Sequence, residues 1–144
     1  MPDSISANFA LAVIKIGGSI LKNARAYRRA ARYVRNRYVA SPDVRFVVVV
    51  SAQEGVTDWL AATACQVISQ PNPAALDLLW STGELRSVAL LALHLQAFGV
   101  SAAALNIHEA GLALSDTTRA SGTAQQEITS PNAGVFSSEA VAAT

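Results

Sequence analysis

The sequence has little of what marks secreted or membrane proteins. Its 144 residues include one cysteine, Cys65, so no intramolecular disulfide is possible, which indicates a reducing compartment. The polar segment 1–9 has no basic start and no apolar run, so we predict neither a signal peptide nor a transit peptide. The richest apolar region, residues 88–105, is interrupted by polar residues and is too polar for a membrane span. We therefore expect a soluble, cytoplasmic protein without a membrane partner.

Several common site motifs are also missing. The chain has no Cys/His spacing of the zinc type, no Walker A loop and no G-x-G-x-x-G dinucleotide fingerprint, and we predict no metal ligands. Charged residues make up only 15% of the chain, but they are unevenly distributed. Residues 1–48 hold nine Lys or Arg against two acids, whereas the remainder holds two against eight. The first third is therefore strongly basic and the rest is acidic.

An apolar content of 51% over 144 residues is enough for one domain with a real core. The nearly continuous apolar runs at 11–16 and 45–50 are typical of buried parallel strands. Between them, residues 24–38 have apolar side chains at helical spacing and arginines on the other faces, which predicts an amphipathic helix. The order strand, helix, strand predicts a right-handed crossover.

The second half of the chain predicts mainly helices. We expect one helix to start at an N-cap formed by Thr57 or Asp58 and to bury Leu60, Ala64, Cys65, Val67 and Ile68. After a break at 71–73, the pattern indicates a short helical piece at 76–80, a hinge at 81–83, and a longer helix from Glu84 to about residue 98 that stops at Gly99. A third strand is expected at 100–105, with weaker strand signals at 110–114 and 124–128.

Three loops are candidates for a common site, because ligands of open parallel sheets bind beyond the carboxyl ends of the strands. The first follows an apolar strand that carries a single cation, Lys15, and it consists of Gly17, Gly18 and Ser19. We expect Lys15 to be buried; the alternative is a strand-edge residue with its amine at the surface. A lysine followed by glycines that let the backbone approach a ligand is typical of an oxyanion site. The second loop is 51–57, and the third is 82–84.

Three motifs in these loops, in this order and spacing, resemble the amino-terminal half of the aspartokinase branch of the amino-acid kinase family. They are IKIGGS at 14–19, VVVVSAQEGVTDWL at 47–60 and STGELRS at 81–87, and the similarity covers residues 10–128. The resemblance implies an α/β fold with three layers, a mostly parallel sheet and flanking helices, as in Rossmann-like folds. It also implies phosphoryl transfer from ATP, with Mg, to the carboxylate of a small amino acid.

By the same resemblance, each motif has a role. Lys15 would neutralise the phosphoryl group in transfer, and Gly17, Gly18 and Ser19 would bind phosphate oxygens. Substrate binding would fall to Ser51 and Thr57 in the second loop and to Glu84, which would pair with the substrate ammonium group. An alternative reading of Glu84 is a negative charge in the first turn of a helix, stabilising by some tenths of a kcal/mol.

The resemblance also implies that the family's nucleotide site lies mainly beyond the matching region. We therefore expect residues 1–9 to be a flexible start, 10–128 a half-domain, and 129–144 a loosely ordered tail. Three functions follow as alternatives: a kinase that needs a partner chain for the nucleotide half, a non-catalytic member that binds a small amino acid or carboxylate or regulates a kinase, and an assembly module. An unprotected sheet edge favours a homo-oligomer or a second kinase-like chain as the partner.

The arginine-rich helix at 24–38 is read first as a solvated face. A subunit contact is the next interpretation. Nucleic acid is considered unlikely as a partner, because no aromatic residue is expected among the exposed arginines to stack on bases.

Overall fold

The computed structural model describes residues 10–111, which form two strands and three helices. Strand β1 spans Ala10–Ile16, helix α1 Ala24–Ala40, strand β2 Val44–Val50, helix α2 Val56–Val67 and helix α3 Pro73–Gln96. The strands pair in parallel, with Ile16 opposite Val50, and α1 connects them. The predicted β1, α1 and β2 are thus confirmed to within two residues at each end.

One face of this sheet is buried against α1 and α3. Ile16 and Val50 belong to the core together with Tyr27 of α1 and Leu91 and Leu95 of α3. The core contains one buried polar link, in which the Tyr27 hydroxyl lies 2.7 Å from Oγ of Ser87. Because both side chains are almost inaccessible to solvent, this bond fixes how α1 and α3 pack together.

The α/β class with a parallel sheet and helices is confirmed, but the third strand is not found. Residues 100–105 have no regular secondary structure, so the prediction of a strand there is wrong. After α3, the N–H groups of Gly99 and Val100 donate to the carbonyl oxygens of Gln96 and Leu95, the Schellman pattern, with Gly99 at φ 76°. Gln96 then donates its amide to the Ala102 carbonyl, so the chain folds back on the helix end.

The predicted hinge at 81–83 is also wrong, because α3 is continuous through it. Ser81 and Thr82 donate their hydroxyls to the carbonyls of Leu78 and Leu79, one turn earlier, at 2.7 and 2.6 Å. Hydroxyl groups that bond within the helix in this way do not interrupt it. The N-cap of α3 is Asn72, whose side chain accepts hydrogen bonds from the N–H groups of Ala74 and Ala75.

Helix α2 differs most from its prediction. Its N-cap is Gly55, in the left-handed region at φ 79°, and not Thr57 or Asp58. Leu60 is buried as predicted, but Cys65, Val67 and Ile68 are exposed, so the expected buried face is wrong in its last turn. Within residues 10–111, α2 packs on α3 through its amino-terminal half.

The weak strand signals at 110–114 and 124–128, and the segments 1–9 and 129–144, fall largely or wholly outside the described residues. Among the helices of residues 10–111, none has the length and apolar character needed to cross a bilayer.

Candidate functional site

The loops that follow the two strands start side by side. Ile16 and Val50 end β1 and β2 at the same level, and the Ser51 N–H donates to the Ile16 carbonyl at 3.1 Å. The parallel register therefore brings the first two candidate loops to one edge of the sheet, as expected for carboxyl-terminal strand ends.

The first loop is a tight double turn. The N–H groups of Ile20 and Leu21 donate to the carbonyls of Gly17 and Gly18 at 3.0 and 2.9 Å. Within residues 10–111, the N–H groups of Gly18 and Ser19 donate no hydrogen bond, which leaves two adjacent donors available to an anion. Phosphate binding by this turn stays a prediction.

The two glycines of this turn have different reasons to be glycine. A Cβ built on Gly18 would collide with the carbonyl oxygen of Ala52 in the second loop, whereas one built on Gly17 would meet no atom within 4 Å. Gly18 is therefore required for the contact between the loops. Gly17 has no such steric requirement in this part of the chain.

Ala52 is also where the third segment arrives. A Cβ built on Gly83 of α3 would lie 3.3 Å from the Ala52 Cβ, 3.0 Å from Val56 Cγ1 and 3.3 Å from Leu60 Cδ1. The absence of a side chain at Gly83 thus lets α3 approach both the second loop and the first turn of α2. We call Gly18, Ala52 and Gly83 the small-residue junction, and through it all three predicted loops meet.

Two polar contacts reinforce the junction on its exposed side. Gln53 donates its side-chain amide to the Lys22 carbonyl at 3.1 Å, and the Lys22 ammonium lies 3.6 Å from the Glu54 carboxylate. The ion pair is 60% and 50% exposed, so it contributes little to stability. Both contacts nevertheless join the same two loops and limit how far they can separate.

Most of the predicted charged and hydroxyl residues have exposed side chains. Lys15, Ser19, Thr57 and Glu84 are exposed, and within residues 10–111 the side chains of Lys15, Thr57 and Glu84 make no hydrogen bond or ion pair. Ser51 is half-buried at the end of β2. These groups are available to a ligand, but the described contacts do not join Lys15 directly to Thr57 or Glu84.

Three expectations about these side chains are wrong. Lys15 is not buried, because it points to the sheet face opposite the helices, in register with Val49. Glu84 is not in a first helical turn, because α3 starts eleven residues earlier, at Pro73. A favourable interaction with the helix amino terminus therefore does not explain Glu84. Thr57, in turn, lies in the first turn of α2 and does not cap it.

The residues missed from the sequence are those that hold the loops together. Ala52, Gln53 and Lys22 lie inside or beside the recognised motifs, yet nothing in their local pattern shows that they contact another loop. The one available signal was the presence of Gly18 and Gly83 in separate motifs, since a turn conformation requires glycine at neither position. A buried glycine inside a helical pattern indicates close approach of another backbone.

The chemistry of this edge suits an anion and offers no protein-bound metal. Within residues 10–111, no group of three or more His, Cys, Asp or Glu side chains is placed to hold a metal ion. The free N–H groups of the glycine turn and the exposed Lys15 fit phosphate oxygens. A surface for the base and sugar of a nucleotide is not formed by the elements described above.

A glycine turn follows β1, the second loop packs on it, and helix α3, which carries Glu84, packs on the second loop. The chain belongs to the amino acid kinase family, whose model matches residues 10–136. Within that family it matches the amino-terminal quarter of the aspartokinases.

The individual relatives are aspartokinases of several bacteria. The chain is 38% identical over 108 residues to the aspartokinase of Mycolicibacterium smegmatis, covering 75% of this chain and 25% of that protein. It is 41% identical over 93 residues to the Pseudomonas aeruginosa aspartokinase, covering 65% and 22%. The chain thus spans about a quarter of the length of these relatives.

Solved structures show the same similarity. The aspartate kinase from Synechocystis aligns with a TM-score of 0.60 and 35% identity, covering 65% of this chain and 16% of that one. Aspartokinase III of E. coli, solved with aspartate and ADP, aligns with a TM-score of 0.58 over 74% of this chain and 33% of that one. At 21% identity, this second alignment supports the fold alone.

Proposed function

We propose that the chain forms the acceptor half of an aspartokinase-like site, which transfers a phosphoryl group from ATP to the carboxylate of a small amino acid. The observation that carries this proposal is the small-residue junction. Three segments that are far apart in sequence meet at Ala52, and each of them carries one of the predicted ligand-binding groups nearby. The same three segments also carry Lys15, Thr57 and Glu84, whose side chains are exposed.

The reaction needs charge and positioning more than acid or base catalysis. A side-chain carboxylate with a pKa of about 4 is ionised at neutral pH, so it attacks the terminal phosphorus without losing a proton. The new bond joins this carboxylate oxygen to phosphorus as the bond to the departing diphosphate breaks. Because both reactants are anions, their approach is opposed until positive groups offset the repulsion.

The described residues supply groups of the required kinds. Lys15 and the N–H groups of Gly18 and Ser19 would offset charge on the phosphoryl oxygens. Thr57, in the first turn of α2, would bind the substrate beside unpaired helix N–H groups, with Ser51 at the base of the same loop. Glu84 would pair with the substrate ammonium group. ATP with Mg would supply the phosphoryl group and its counter-ion.

The nucleotide half must come from outside residues 10–111, and we propose a partner chain as its source. The face of the sheet that carries Lys15 also exposes Leu11, Val13 and Val49, at 48%, 64% and 48%. A two-stranded sheet with one apolar face in water is only marginally stable, so a covering layer is expected. A partner there would complete the three-layer fold and would bring a nucleotide surface next to Lys15. We expect an oligomer in solution, and light scattering that finds only a monomer would contradict this.

Calorimetric titration with aspartate and with MgATP, each alone, tests the proposal. We expect Glu84→Gln to weaken aspartate binding at least tenfold, and Lys15→Met to leave aspartate binding unchanged while weakening MgATP. Lys22→Met is the matched control, since it removes a nearby exposed lysine that is already paired with Glu54. Aspartate affinity that does not respond to Glu84→Gln would overturn the assignment of the substrate site.

A second candidate is a non-catalytic member that binds the amino acid and regulates a kinase. The observation in its favour is the exposed Lys15, which has no covering layer within the described residues. This candidate predicts aspartate binding with no response to MgATP even when the nucleotide half is supplied by a partner chain, whereas the kinase then binds both. Phosphorylation of aspartate by the purified chain alone would exclude this candidate and would also remove the need for a partner chain.

A further inference from the structure

Helix α1 carries a dense positive surface that the proposed kinase site does not use. Its 17 residues include six arginines and no acidic residue, and all six arginine side chains are exposed. Within residues 10–111, none of these six takes part in an ion pair. Six adjacent cations without counter-charges repel one another, so this surface is stabilised when an anionic partner covers it.

Five of the six arginines lie in one stripe. At 3.6 residues per turn, the positions of Arg25, Arg28, Arg29, Arg32 and Arg35 fall within roughly a third of the helix circumference. This arginine stripe is opposite the buried side of the helix, which carries Tyr27, Ala30, Ala31 and Val34. From Arg25 to Arg35 it extends about 15 Å along the axis, at 1.5 Å per residue. The sixth, Arg37, falls outside it.

Two arginines of the stripe rest on an aromatic ring. The guanidinium carbons of Arg28 and Arg32 each lie 5.9 Å from the centroid of Phe98, in the turn that ends α3. A cation over a ring face is attracted to it, and a side chain ordered in this way loses less entropy when it binds. Phe98 thus holds two guanidinium groups in place at the middle of the stripe.

The sequence predicted no aromatic residue among the exposed arginines, and the structure contradicts this prediction. Tyr33, one turn from Arg29, is 54% exposed, so an aromatic ring does lie beside the stripe. Single strands bind to surfaces that combine a line of positive charge with exposed aromatic rings on which bases stack.

A second copy of this chain fits the stripe less well. Contact between two stripes would be repulsive, so a symmetric dimer through this surface is excluded. The acids of residues 10–111 are dispersed over several elements: Asp43, Glu54, Asp58, Asp77, Glu84 and Glu109. None of the described elements offers a line of negative charge to match five arginines in about 15 Å.

We infer that the arginine stripe of α1 binds the phosphodiester backbone of single-stranded nucleic acid without sequence preference. Arginine suits this role because its planar group donates two hydrogen bonds to one phosphate. Binding of this kind is electrostatic, so it weakens steeply with salt. It involves a surface of the chain that is separate from the small-residue junction.

Fluorescence anisotropy of the full chain with a labelled 20-nucleotide RNA of mixed sequence, at 50 to 200 mM KCl, tests the inference. Five phosphate contacts predict a slope of about −3.5 for log K against log salt, or roughly a hundredfold loss of affinity over this range. The double variant Arg28→Gln/Arg32→Gln should lower the slope to about −2 and weaken binding at least tenfold at 50 mM KCl.

The control is Arg37→Gln/Arg86→Gln, which removes the same charge from two exposed arginines outside the stripe. This control variant should keep most of the slope of log K against log salt. Equal losses in the two double variants would show that net charge alone is responsible and would overturn the inference, as would no binding at 50 mM KCl. Tighter binding of a DNA duplex than of the RNA would overturn the assignment to single strands. Equal affinity for polyglutamate would indicate an acidic protein partner instead. Circular dichroism verifies that each variant is folded.

Discussion

The two faces of the β1–β2 sheet have opposite character although the same two strands form them. On one face Ile16 and Val50 are 4% and 8% exposed and pack against α1 and α3. On the other, Val13 and Val49 are 64% and 48% exposed, and Lys15 lies among them. Because side chains alternate along a strand, residues of the core and the exposed lysine are neighbours in sequence but lie on opposite faces of the sheet. One face holds the described chain together, and the other carries an exposed lysine.

The largest expected effect tests this difference with two adjacent valines of β2. Val50→Ala removes buried methyl groups from the core and should lower the free energy of unfolding by about 2–3 kcal/mol. Val49→Ala makes the same chemical change on the open face and should cost less than about 1 kcal/mol in the chain without its proposed partner. Urea denaturation of both variants measures the difference. Similar losses at the two sites would mean that the open face is covered in solution, as the proposed partner requires.

A second pair of adjacent residues tests whether the loops must touch at Ala52. Gly18→Ala places a methyl group against the Ala52 carbonyl oxygen and should cost about 1–2 kcal/mol, since a backbone atom cannot move aside easily. It should also weaken the binding of any ligand that contacts both loops. Gly17→Ala meets no atom within 4 Å and should change stability by less than about 0.5 kcal/mol. If the two variants unfold at the same urea concentration, the close contact at Gly18 is not required.

The sequence predicted the first three elements well because their patterns are governed by burial. β1 and β2 are apolar enough to be recognised alone, and the arginines of α1 leave only one face for the core. The same reasoning failed at 81–83, where serine and threonine bond back into α3. It failed again at 100–105, where the Schellman turn directs the chain. In both places hydrogen bonds between neighbouring turns override the composition.

The candidate site was predictable as a set of positions but not as a geometry. The three motifs named Lys15, Thr57 and Glu84, whose role in binding a ligand stays a prediction. The junction at Ala52 was not predictable, because a contact between loops 34 residues apart leaves no periodic signal in either loop. The exposure of Lys15 was not the first interpretation, for a related reason. The apolar pattern of β1 predicts burial of its residues but does not show which face of the sheet is covered.

The smallest expected effect lies inside the covered face, where α1 meets α3. Tyr27→Phe removes the hydroxyl that pairs with Ser87 and leaves the Ser87 Oγ buried without this partner. The free energy of unfolding should fall by about 1 kcal/mol, and Tyr27→Phe/Ser87→Ala should recover part of this loss because no polar atom then remains unpaired. Tyr33→Phe is the control, since its hydroxyl belongs to a side chain that is 54% exposed, and it should have no measurable effect. If the loss in the double variant is as large as the sum of the two single losses, the bond does not couple the two helices.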